Sequence, residues 1–213
     1  MRRLIVFGLV LATTGCAVQF AKRSPWDVQQ LAELSDQLEQ FKTLARLKSQ
    51  EADELRRAKA LLEQRLSSSE VSVGYDERGL VTRLLDAVLF DSGKAALRRS
   101  AYPVLDRVAQ VLQDVGGQPI GVEGHTDNVP IKLSGWESNK ALSIARAEAV
   151  ANYVIEKGID RNRITVTGHG EDRPLEANDT KEGRQKNRRV EIIILPQTSG
   201  YQDDARAAGG YTK

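Results

Sequence analysis

Asp127 and Arg146 are the residues whose types and placing suggest chemistry. Asp127 closes Gly124-His125-Thr126-Asp127, a polar run at the end of an apolar strand pattern over Ile120–Val122. Arg146 sits on a long amphipathic helix expected to begin near Ser138 and Asn139. An acid at a strand tip and a base on the next helix can face one pocket. Such a pair suits a zwitterion, with the carboxylate holding an ammonium group and the planar guanidinium fork holding a carboxylate. The plain alternative is that the two pair with each other or with solvent, and on spacing alone that alternative is the stronger. Asn139, Leu142, Ser143 and Arg146 fall on neighbouring turns of one helix face. Asn139 offers both a donor and an acceptor to a peptide; Leu142 offers an apolar wall or simply core.

The wider pattern changes the balance. Gly124-His125-Thr126-Asp127, Asn139-x-x-Leu142-Ser143-x-x-Arg146-Ala147, Gly168-x-Gly170-Glu171-x-x-Pro174 and Asn187-Arg188-Arg189-Val190-Glu191 follow one another in order. This series closely resembles the OmpA-like peptidoglycan-binding domain, the type found at the C-termini of OmpA, Pal and MotB, over roughly residues 85–195. The resemblance implies non-covalent binding of cell-wall peptide stems, chiefly through the diaminopimelate side chain. The acid of the TD pair, Thr126-Asp127, takes the ammonium end, and Arg146 takes the carboxylate. A Phe-Asp segment, here Phe90-Asp91, forms one wall of the pocket in the family. Asp91 has an ordinary turn or cap role as an equal alternative. Gly93 stands where some relatives have a contacting side chain, so a contact there comes from backbone. Alternation puts Arg188 and Arg189 on opposite faces of the last strand. One of them reaches the ligand carboxylate, and the sequence leaves open which.

Competing chemistries have weaker support. His125 and Asp127, with His169 and Glu171, invite a metal reading, because GHTD and GHGED both end apolar strands. The spacing is loose, and no Cys or HExxH-type pair supports it. Neither a metal nor another cofactor is expected, and both histidines are read as strand-end residues bonded to loop backbone. No paired-carboxylate or zinc arrangement points to hydrolysis, so the function is expected to be non-catalytic. The net charge of +2 gives no argument for nucleic acid.

The rest of the chain positions this site. Residues 1–15 read as a lipoprotein signal: Arg2-Arg3, a short apolar run over Leu4–Ala12, then Gly15-Cys16. The run is too short to span a bilayer, which takes about 20 apolar residues. Cys16 is the only cysteine and the expected lipidation site, with residues 16–25 as a lipidated linker. By family analogy Ala17 directs sorting to the outer membrane, facing the periplasm. Residues 26–70 read as a charged helical stalk. Leu31, Leu34, Leu38 and Phe41 keep heptad spacing, Lys59 interrupts it, and Leu62 and Leu66 restore it. Self-association of the stalk is one expectation; a single helix lying back on the domain is the other. Residues 71–84 read as a β-hairpin lead-in, residues 85–195 as the binding domain, and residues 196–213 as a disordered tail. The expected class is α+β, a βαβαβ-type two-layer sandwich with a mixed sheet, preceded by a coiled-coil-like helix. The runner-up function is a wall-anchoring accessory of a motor, secretion or transport machine.

Overall fold

The computed structural model describes residues 25–66, 71–131 and 135–197. Cys16 and the signal segment, Ser67–Ser69 and the tail beyond Gln197 lie outside the described residues. The chain divides into two compact units between Arg46 and Leu47.

Helix α1 covers Pro25–Arg65. In the first unit its heptad positions Leu31, Leu34, Leu38 and Phe41 are all exposed. In the second unit the helix has a different role. Leu55, Ala58, Leu62 and Leu66 are buried at i, i+3 and i+4 steps, and they join the core of the domain. The apolar positions that look like a resumed coiled-coil seam are therefore a packing stripe of the globular unit.

Five strands form one mixed sheet: β1 (Val71–Asp76), β2 (Gly79–Leu85), β3 (Ile120–His125), β4 (Ile164–Gly170) and β5 (Arg189–Ile194). Their order is β1-β2-β5-β3-β4. All neighbours are antiparallel except β3 and β4. The α+β class and the mixed sheet are as expected, but the hairpin is more than a lead-in. β2 pairs with β5 from Leu80 opposite Ile194 to Leu85 opposite Arg189. An open β2 edge would strand a row of backbone donors and acceptors, so the hairpin is an integral part of the sheet.

Side-chain alternation divides the sheet into two faces. Leu80, Leu84, Ile120, Val122, Val190, Ile192 and Ile194 pack against α3 (Tyr102–Asp114) and α4 (Asn139–Glu156), through Leu105, Val108, Leu112, Val150 and Val154. The other face holds a small apolar patch of Val81, Ile193 and Leu195, and a charged network described below. Two shorter helices, α2 (Asp86–Leu89) and α5 (Lys181–Asn187), complete the fold.

Two glycines set the distance between α4 and the sheet. A Cβ on Gly124 would lie 2.0 Å from the Ser143 carbonyl oxygen, and one on Gly168 would lie 2.4 Å from Ile144 Cγ1. With hydrogens at these positions the helix lies directly on β3 and β4, and Ser143 Oγ accepts the Gly170 N–H at 2.9 Å. Ser138 caps the helix by accepting from the Ala141 N–H at 3.1 Å, and Gly158 follows its end with a φ of +99°.

Candidate functional site

The tip of β3 and the first two turns of α4 bring the candidate residues together. Thr126 donates its N–H to the Gly170 carbonyl at 2.8 Å, which ties the β3 tip to β4. Its hydroxyl donates to the Asp127 carbonyl at 2.9 Å. Asp127 is 7% exposed; Oδ1 accepts the Val129 N–H at 3.1 Å, and Oδ2 accepts from Arg188 Nη1 at 2.5 Å. Asn139 braces the loop: its amide donates to the Asp127 and Val129 carbonyls, at 3.3 and 3.2 Å, and to the Glu171 carboxylate at 2.8 Å. Leu142 is buried on the same helix face.

Arg146 is 4% exposed and held on three sides. Nε donates to the Lys94 carbonyl at 2.9 Å, Nη1 lies 3.0 Å from Asp86 Oδ1, and the guanidinium sits 5.1 Å from the Phe90 ring centroid. A guanidinium carries five N–H donors, so these contacts leave several without a partner among the described residues. Asp127 and Arg146 do not pair with each other. Each has a countercharge brought from far along the chain, Arg188 and Asp86.

The four charges form one electrostatic neighbourhood. Burial pushes the Asp86 carboxyl up, against the pull of Arg146 and Arg188, while Asp127 adds to the push. Burial lowers the Arg146 value, and Asp86 and Asp127 act against that. The acid and base proposed from sequence thus share a cluster of two acids and two arginines.

The structure assigns the remaining candidates. Arg188 faces Asp127, with its side chain 36% exposed. Arg189 points to the opposite face and is buried against Glu191, 2.7 Å away, and against the carbonyls of Asn187 and Arg173. Asp91 is exposed beside Lys94 and Arg98, outside the charge cluster. Gly93, at a φ of +69°, presents its carbonyl to the Trp136 indole N–H at 3.0 Å. These two line an open cleft of ≈ 370 Å³ with Lys94, Ala95, Ala96 and Gly135. Through Lys94 the cleft borders the Arg146 anchorage.

Asp86 and the Lys94 carbonyl were missed from sequence. The one available signal for Asp86 was a lone acid inside the apolar run Leu84–Phe90, since charged side chains are rarely buried unpaired.

The histidines also differ from expectation. Neither ring nitrogen of His125 has a hydrogen-bond partner among the described residues, and His169 Nε2 lies 3.0 Å from the Glu123 carboxylate. Both rings are on the sheet face opposite the helices, stacked with centroids 5.0 Å apart. Burial, followed by Arg189, pushes His125 down to about 3.

A sequence model of the OmpA family matches residues 89–188. The cell-wall anchor of the type VI secretion system from Pseudomonas aeruginosa is 33% identical; the match covers 64% of this chain and 96% of that one, with a TM-score of 0.59. The chain belongs to the OmpA family. A MotB-like protein from Desulfovibrio vulgaris has the same fold, with a TM-score of 0.65 at 27% identity, covering 70% of this chain and 96% of that chain. Motility protein B of Bacillus subtilis (strain 168) is 35% identical over 155 residues, 70% of this chain and 59% of its own length. The OmpA-family chain described here therefore spans about three fifths of that curated relative.

Proposed function

We propose that this OmpA-family domain binds peptidoglycan non-covalently by gripping the diaminopimelate head group of a peptide stem. Asp127 receives the ammonium group and Arg146 the carboxylate. Thr126 and Asn139 hold the acid's loop in place, and Leu142 backs it. Gly93 lines the neighbouring cleft with backbone. Arg188 occupies Asp127 in the absence of ligand and yields to the incoming ammonium. Arg189 and Asp91 contribute to the surrounding structure rather than to the grip. The observation that carries this reading is the shared cluster: an acid and an arginine, both more than nine-tenths buried, delivered by adjoining elements, the arginine with unused donors. Each charge-assisted hydrogen bond contributes about 1.5–3 kcal/mol, so binding is modest and reversible.

The wider proposal is a lipoprotein anchored through Cys16 in the outer membrane, which tethers the envelope to the wall from the periplasmic side. The similarity to a cell-wall anchor of a secretion system and to motility protein B favours a second setting, in which the same domain anchors a larger machine. No helix among the described residues is long and apolar enough to cross a membrane.

The test is co-sedimentation with purified sacculi. Asp127→Asn and Arg146→Ala are each expected to abolish pull-down while circular dichroism stays unchanged. Undiminished binding by both variants would overturn the site. Release of Cys16→Ser from the membrane fraction, and the proteins that co-purify with the wild type, separate the two settings.

A further inference from the structure

Glu123 and His125 project from the same face of β3, two residues apart, and His169 projects beside them from β4. The parallel ladder slips by one residue between Gly124 and His125, so His125 pairs with Gly170 and its ring stacks on His169. One donor atom from each of the three residues lies within 4.8 Å of the other two. Glu123 and His125 are almost fully buried, at 1% and 2% exposed.

We propose that Glu123, His125 and His169 form a site for a divalent transition-metal cation of the zinc class. Two imidazoles and a carboxylate are a donor set that suits zinc, with a fourth position left for water. Tetrahedral bonds of the usual length place neighbouring donor atoms about 3.4 Å apart. The distances here bracket that value: Glu123 Oε2 is 3.0 Å from His169 Nε2 and 3.8 Å from His125 Nε2.

A second observation points the same way. His125 is a buried imidazole with no hydrogen-bond partner on either nitrogen among the described residues, and an orphaned buried polar atom in a native fold calls for an explanation such as a water or an ion. Coordination through Nε2 satisfies the nitrogen that faces Glu123.

The charged side chains around the site are matched in number. Arg78, Arg83 and Arg189 lie close by, but Asp76, Glu123 and Glu191 balance them through direct pairs. Arg78 donates to Glu123 Oε2 at 2.5 Å and fixes the carboxylate's direction, the service that outer hydrogen bonds give to metal ligands. The metal would clamp the ends of β3 and β4 on the face opposite the helices. Asp127 follows His125 closely and Glu171 follows His169 closely, so the clamp would stiffen the strand tips that carry the wall-binding loop.

The experiment uses the untagged full chain carrying Cys16→Ser, washed with chelator and titrated with zinc chloride. With two histidines in the whole sequence, no other histidine can imitate the site. We expect one equivalent to bind, and saturating zinc to raise the melting temperature by about 5–10 °C. Cobalt in place of zinc should give the intense visible bands of a four-coordinate site. His169→Ala, which alters the more accessible ligand, should keep its circular dichroism and lose at least 30-fold in zinc affinity. Absence of stoichiometric binding in the parent, or zinc affinity in His169→Ala within threefold of the parent, would overturn the site.

Discussion

Glu191→Gln tests the charged face of the sheet. Glu191 is fully buried at the centre of β5 and accepts from Arg189 Nε at 2.7 Å, Arg83 Nε at 3.1 Å and Arg78 Nη2 at 2.5 Å. Burial alone would push its carboxyl up. Arg189 and Arg78 outweigh burial and hold it at about 2, against an ordinary value of 4.5. The folded value lies below the unfolded one, so this group's contribution is complete above pH 4.5 and is lost as the pH falls toward 2. The difference corresponds to about 3 kcal/mol of stability. Removing the charge also leaves buried guanidiniums short of a partner, so the variant should lose about 3–5 kcal/mol at pH 7. Urea unfolding of wild type and variant at steps from pH 7 to pH 2 measures it. The gap between the two curves should be widest at pH 7 and should shrink by about 3 kcal/mol below pH 4.5. Taking the difference cancels titrating groups that do not interact with Glu191, such as Asp86; His125 feels the Glu191 charge and is replaced in both backgrounds by His125→Asn. A gap under about 1 kcal/mol at pH 7, or curves that stay parallel down to pH 2, would refute the reasoning.

Arg146→Lys keeps the charge and loses the fork that reaches the Lys94 carbonyl and Asp86 together. Sacculus binding should fall by about 10- to 150-fold, the equivalent of one charge-assisted hydrogen bond; a change within threefold would contradict a bidentate role. Gly124→Ala places a methyl 2.0 Å from the Ser143 carbonyl oxygen, and backbone there cannot swing aside. It should cost about 1–3 kcal/mol or more in urea unfolding and weaken binding, because α4 must lift from β3; an unchanged midpoint would disprove the close approach. Leu62→Ala, at a position 1% exposed, should cost about 2–5 kcal/mol. Leu38→Ala, at a position 54% exposed, should stay within about 0.5 kcal/mol in the monomer. Equal effects in thermal melts would mean that the second half of α1 does not pack on the domain.

Local patterns were legible in the sequence because they are written within a few residues. The strand over Ile120–Val122, the helix start near Ser138 and the hairpin over residues 71–84 each depend on neighbours in the chain. So did the placing of Asp127 at a strand tip and Arg146 on the next helix. The partners of those two residues depended on sheet order. β5 enters between β2 and β3, and only that insertion sets Arg188 against Asp127, 61 positions earlier in the chain, and hides Arg189 behind Glu191. The same insertion makes the hairpin part of the sheet, and a one-residue slip in the ladder stacks two histidines that read as separate strand ends. The apolar stripe of α1 shows the same division. Its spacing determined that a helix forms, while the partner of its later turns, domain core rather than another helix, was decided by which apolar surface lay within reach.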